Sequence, residues 1–67
     1  MELLINGSKM EVPSSVRTVS ELIEHLKLQN PIIIVEHNEV ILKKEEQKLA
    51  KLSPQDTLEF VQFVGGG

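Results

Sequence analysis

The chain has no cysteine. That excludes disulfides, thiolate metal sites and a cysteine nucleophile, and it suits a reducing compartment. Basic residues are in deficit: Lys and Arg number 7, Asp and Glu 10, for a formal net charge of -3. A nucleic-acid binder carries a basic face, so nucleic acid is not an expected partner. The acidic balance suits a protein partner with a basic docking surface. No apolar run approaches the roughly 18 residues of a membrane-spanning helix, and no segment has the charged–apolar–small order of a secretory signal. The expectation is a cytoplasmic protein with no membrane partner. Glycine is unevenly placed. Of its 4 occurrences, three are Gly65, Gly66 and Gly67, together at the C-terminus.

What is present fits one small domain. A chain of 67 residues buries only about 60% of the surface its unfolded form exposes. There is room for one helix and a few strands, and little for a buried active-site pocket. Hydrophobic residues are 40% and charged residues 25%, a globular rather than a disordered composition.

The tail is the least ordinary feature. At an average frequency of about 7%, three glycines in the last three places have odds of roughly 3 in 10,000. Glycine loses the most backbone freedom on folding, so it adds little to the stability of an ordered end. It does supply a thin, bare arm. Three extended residues reach about 10 Å, enough to enter a narrow slot in another protein. The plainer alternative is a linker or a frayed end.

Upstream, the chain reads as β-β-α-β-β-turn-β. Glu2–Ile5 is an apolar strand candidate. Asn6-Gly7 is the strongest short hairpin signal, because both positions tolerate positive φ. Lys9–Val12 alternates, with Met10 and Val12 expected on the core side. Pro13 ends the pairing. Thr18 and Glu21 form a capping-box pattern, and Val19, Leu22, Ile23 and Leu26 make one apolar stripe. The spacing predicts a helix over Val19 to Leu28, stopped before Pro31. Ile32–Val35 reads as a buried strand, Glu36–Glu39 as a polar turn and Val40–Leu42 as a short strand. Lys43–Lys51 is a charged connector holding a helical turn, with Leu49 and Leu52 as its expected anchors. Ser53–Asp56 is turn chemistry, and Thr57–Val64 is the last strand.

These elements imply an α+β fold: a mixed sheet of four to five strands with one helix across one face. First and last strands lie side by side in parallel if the helix crosses between them, the β-grasp arrangement. Residues 1–64 are then the domain and 65–67 a flexible tail. In the last strand Leu58 and Phe60 share one face, Val61 and Phe63 the other. If the helix covers Leu58 and Phe60, then Val61, Phe63 and the adjoining Val64 lie bare beside the tail, where a partner docks. The alternative is that Val61 and Phe63 cover a second small core under the 43–51 connector.

No catalytic constellation stands out. His25 falls on the solvent side of the helix and His37 in the polar turn, read as solvated. Glu36, His37 and Glu39 match no metal-ligand spacing, so no metal site is expected. Glu45 and Glu46 lie among lysines as surface charge. No phosphate loop is present, and Gly65–Gly67 precedes no helix. The chain is not expected to be an enzyme, or to bind a cofactor of its own.

Several stretches together resemble the ThiS family, the sulfur carriers of thiamin thiazole synthesis, which have a ubiquitin-like β-grasp fold. They are the Asn6-Gly7 hairpin, Thr18-Val19-Ser20-Glu21-Leu22, Ile34-Val35-Glu36-His37-Asn38-Glu39-Val40, and the stretch from Asp56 to Phe63-Val64-Gly65-Gly66-Gly67. There are departures. A glycine often follows the position of Asn38, a Gly-Asp turn often precedes the last strand where this chain has Gln55-Asp56, and Lys43-Lys44 replaces a Pro-Arg.

The resemblance implies a mechanism. A terminal carboxylate has a pKa near 3.3–3.7 and is a poor electrophile. In the family, an adenylating enzyme (ThiF-like) uses ATP and magnesium to convert the terminal glycine, here Gly67, to an acyl-adenylate. A persulfide sulfur donor displaces AMP to leave a thiocarboxylate, and thiazole synthase (ThiG-like) takes the sulfur. Gly65 and Gly66 are then the arm that enters each enzyme, and Val61, Phe63 and Val64 its docking root. Two other readings stay open: the small subunit of molybdopterin synthase, with the same thiocarboxylate chemistry, and a ubiquitin-like protein modifier.

Overall fold

Two periodicities build the core. Along the strands, alternate residues point inward: Leu3 and Ile5 from one, Val35 from another, Leu58 from a third. Along the helix, Val19 and Leu22 point back at them. Leu3, Val19, Leu22, Val35 and Leu58 are fully buried, and Val12 and Val16 close the cluster from the connecting segment.

The structure is a computed structural model, and it describes residues 1–28 and 33–62. Its elements are β1 (Glu2–Ile5), β2 (Ser8–Glu11), α1 (Val19–His25), β3 (Ile33–His37), β4 (Val40–Leu42), α2 (Lys44–Gln47) and β5 (Thr57–Gln62). The sheet order is β2-β1-β5-β3-β4. β1 and β5 are parallel neighbours, and β1–β2, β3–β4 and β3–β5 pair antiparallel. This is the mixed β-grasp sheet that the element order implies, with five strands.

The hairpins close with tight turns. Asn6 and Gly7 both have positive φ, 49° and 82°, the geometry that matches strand twist. Asn38 and Glu39 do the same at 49° and 71°, although neither is glycine. The predicted polar turn over Glu36–Glu39 is therefore shorter: Glu36 and His37 continue β3 and pair with β4 and β5.

Helix α1 opens with the full capping box. The Glu21 N–H donates to the Thr18 hydroxyl oxygen, and the Thr18 N–H donates to the Glu21 carboxylate. It ends at His25, earlier than the predicted Leu28. Lys27 takes a left-handed φ of 57°, the Leu28 N–H donates to the Ile23 carbonyl, and the Lys27 N–H to that of Glu24. That is a Schellman stop with lysine where glycine is usual, so the sequence carried no glycine to mark it.

The connector corrects a second expectation. Leu49 is 78% exposed and anchors nothing. α2 is a single turn, and it points Gln47 inward while Leu49 points away. Leu52 packs on the core as expected, and Ala50 joins it in place of Leu49. Backbone bonds hold the segment: the Val19 N–H donates to the Ala50 carbonyl and the Leu52 N–H to that of Arg17. Met10 faces the helix side as expected but is 36% exposed, because β2 is an edge strand.

Candidate functional site

β5 is the strand that leads to the tail, and its two faces divide as the period of 2 requires. Leu58 is fully buried and Phe60 packs against the core. Val61 lies on the opposite face and is 50% exposed. It pairs directly with Ile34 of β3, itself 37% exposed. Ile41 of β4, at 65% exposed, pairs with Glu36 and so sits diagonal to Ile34 on the same face. Among the described residues these three side chains make an uncovered apolar patch on the outer face, with Val61 nearest the tail. The alternative of a second core under the 43–51 connector fails for Val61. Gly65, Gly66, Gly67, Phe63 and Val64, the other expected site residues, lie outside the described residues.

Ile34 and Ile41 were not legible as part of this surface. Ile34 sits in a run of four β-branched residues with no alternation, so nothing marks its face until its partner is known. A second feature appears only with the register. Glu36 and Glu59 are direct cross-strand partners, both on the outer face beside the Val61–Ile34 pair. Like charges placed opposite each other are unfavourable. Among the described residues neither makes a salt bridge. The arrangement favours a cation from outside.

The other end of β5 is built differently. Asp56 gathers three donors. The His37 Nε2–H donates to its Oδ2 at 2.7 Å, the Ser53 N–H to the same oxygen at 2.9 Å, and the Asn38 amide to Oδ1 at 3.1 Å. The Asn38 side-chain oxygen accepts from the Thr57 N–H at 2.8 Å. Burial pushes the Asp56 pKa up. The hydrogen bonds from His37, Asn38 and Ser53, with the His37 charge, outweigh it and hold the carboxyl below its ordinary value. His37 is thus not the solvated turn residue expected: its side chain is 15% exposed, because the turn starts at Asn38 and leaves His37 at the end of β3.

What the described residues can do chemically is limited. An open groove of about 500 Å³ runs between the segment just after α1 and the β1–β2 hairpin, near Gln62. Its lining, including Met10, Leu26, Leu28 and Phe60, contains no ionisable side chain. It offers no general acid or base and no charge for a triphosphate. Among the described residues no group of three His, Cys, Asp or Glu could hold a metal ion, and no helix is long and apolar enough to cross a membrane.

Comparison with known proteins gives concordant findings. The sequence profile of the ThiS family matches residues 3–67. The chain is 37% identical over 65 residues to the sulfur carrier protein ThiS of Bacillus subtilis (strain 168), covering 97% of this chain and 98% of that one. Its fold is similar to the crystal structure of the thiamine biosynthesis protein ThiS from Geobacter metallireducens, with a TM-score of 0.84, 33% identity and all of both chains covered. The solution structure of a thiamine biosynthesis protein from the same organism gives 0.81 at 33% identity, covering 100% of this chain and 88% of that one.

Proposed function

This chain belongs to the ThiS family, and from that membership we propose that it is a sulfur carrier that holds its cargo on Gly67 for thiamin thiazole synthesis. An adenylating enzyme activates the Gly67 carboxylate with ATP, giving an acyl-adenylate and pyrophosphate. The terminal sulfur of a persulfide donor attacks the acyl carbon and expels AMP, giving an acyl disulfide. A thiol of the donor system then attacks the donor-side sulfur, forming a disulfide there and releasing the Gly67 thiocarboxylate. Thiazole synthase then withdraws that sulfur. The chain itself acts as co-substrate and not as catalyst. Nucleotide and magnesium belong to the partner.

Family membership carries the reading, and the outer face at the tail's root supports the docking that it requires. Val61, Ile34 and Ile41 form an apolar centre, and Glu36 and Glu59 sit beside it as a like-charge pair with no salt bridge among the described residues. A partner with an apolar pad and an arginine or lysine at that pair would dock there and gain on both counts. Docking would fix the root of the arm, and Gly65 and Gly66 would pass into the enclosed site. A Cβ on Gly66 would crowd such a slot and narrow the available φ.

The test is intact mass after incubation with the adenylating enzyme, ATP and a sulfur donor. We expect the gain of one sulfur-for-oxygen exchange, located at Gly67 by fragmentation. Gly66→Val should abolish both this gain and ATP–pyrophosphate exchange, with the circular dichroism unchanged. Normal exchange by that variant would overturn the arm's role. Isopeptide-linked conjugates in place of the mass gain would point to a protein modifier.

A further inference from the structure

The two edges of the sheet differ in what they leave open. β4 is three residues long, and the N–H of Lys43 just after it is taken by the Glu46 carboxylate at 2.7 Å. β2 is longer, and all four of its residues, Ser8, Lys9, Met10 and Glu11, are exposed. Its hydrogen-bonding direction is fixed from inside the sheet. The Leu4 N–H donates to the Asp56 carbonyl, towards β5 and away from β2. Leu4 and Lys9 are therefore a non-hydrogen-bonded pair, and Lys9 turns both its N–H and its C=O to the free edge. Met1 and Val12 exchange both of their backbone bonds, so Glu11, one residue away, turns outward too. Among the described residues no strand lies against this edge.

We propose that β2 pairs antiparallel with β2 of a second copy of this chain, about a two-fold axis at Met10. Only Lys9 and Glu11 present outward backbone groups, so they must meet one another or themselves. Registers that set Lys9 against Lys9, or Glu11 against Glu11, oppose like charges. The register centred on Met10 sets Lys9 of each copy against Glu11 of the other. Each such pair exchanges both N–H···O=C bonds and also joins opposite charges on the outer face. It brings a second cation to Glu11, which has Glu2 directly across from it on β1 and the Met1 amine at 3.0 Å. The two Met10 side chains, on the helix side, meet at the axis. There they extend the apolar lining that Met10, Leu26 and Leu28 already share. The sheet becomes continuous through both copies. Val61, Ile34 and Ile41 stand on β5, β3 and β4, away from the join, so the pairing does not compete with docking at the tail's root and is independent of the tail's chemistry.

Such an edge-to-edge contact is small, and it should show as self-association between micromolar and millimolar protein. Sedimentation equilibrium of the full chain should give a mass rising from monomer towards dimer. Lys9→Glu alone, and Glu11→Lys alone, should each weaken association at least about tenfold, because each opposes like charges in both pairs. An equimolar mixture of the two variants should recover the parent's association to within about threefold, since every pair is then complementary again. Circular dichroism checks that both variants fold. A parent that stays monomeric at millimolar concentration would overturn the proposal. So would single variants that associate like the parent, or a mixture that fails to recover.

Discussion

The two ends of β5 are held by different means. At its start, Asp56 binds the β3–β4 turn and the Ser53 loop together through His37, Asn38 and Ser53, and the Leu4 N–H donates to its carbonyl. At its far end the Phe60 N–H is satisfied by the Asn6 side chain, and the pairing with β3 runs on to Ile33 and Gln62. The outer face there is apolar and bare at Val61. One end spends its polar groups on itself; the other leaves surface for something else. A carrier needs both. On the proposed function the C-terminus is presented to partners, and the strand that leads to it holds its register.

Three experiments would break or sharpen that contrast. The largest effect should come from Asp56→Ala. It leaves the His37 imidazole, the Asn38 amide and the Ser53 N–H without their acceptor, and it should cost about 2 kcal/mol in urea denaturation. Sulfur loading per folded molecule should be unchanged. If the variant loaded poorly while fully folded, the two ends would not be separable.

Next is Val61→Ser at the other end. Truncating the centre of a docking patch should slow loading by the adenylating enzyme about tenfold, equivalent to about 1.4 kcal/mol. Because Val61 is half exposed, unfolding free energy should move by less than about 0.5 kcal/mol. An equal loss in both measurements would mean that Val61 serves the fold and not a partner.

The smallest effect is that of acid. The folded-state pKa of Asp56 lies below its unfolded value. The carboxylate therefore contributes stability at neutral pH and keeps it down to about pH 4. That contribution fades as pH falls further through the folded-state pKa, where the folded form takes up its proton. The urea midpoint should fall less steeply below about pH 4 in Asp56→Asn than in the parent. Identical acid limbs would remove Asp56 from the account.

Much of the fold could be read along the chain, for local reasons. The Thr18–Glu21 box fixes where α1 begins, Asn6-Gly7 fixes the first hairpin, and the alternation after Thr57 sorts Leu58 from Val61. The end of α1 and the bounds of the β3–β4 turn differ from their reading where the usual glycine is missing, whereas the Ser53–Asp56 turn matches it. Lys27, Glu39 and Gln55 all adopt positive φ, and none is glycine. Glu39 and Gln55 fall at positions where the family often has one. The backbone takes the strained conformation there because neighbouring bonds require it, as when the Gln55 N–H donates to the Glu2 carbonyl at 2.7 Å. Leu49 misled for a related reason: hydrophobicity says that a side chain gains by burial, but a one-turn helix decides which way it points.

By itself the sequence determined the element order, the inner and outer faces of β5 and the glycine arm, because periodicity, capping and chain composition are properties of neighbours along the chain. Only the tertiary structure decided that Ile34 lies against Val61, that Glu36 faces Glu59, that His37 turns inward to Asp56, and that Lys9 and Glu11 open onto a free edge. Those are matters of register between strands up to 54 residues apart, as in the bond from Phe60 to Asn6. Register is set by the packing of the whole sheet at once, and no local stretch contains it.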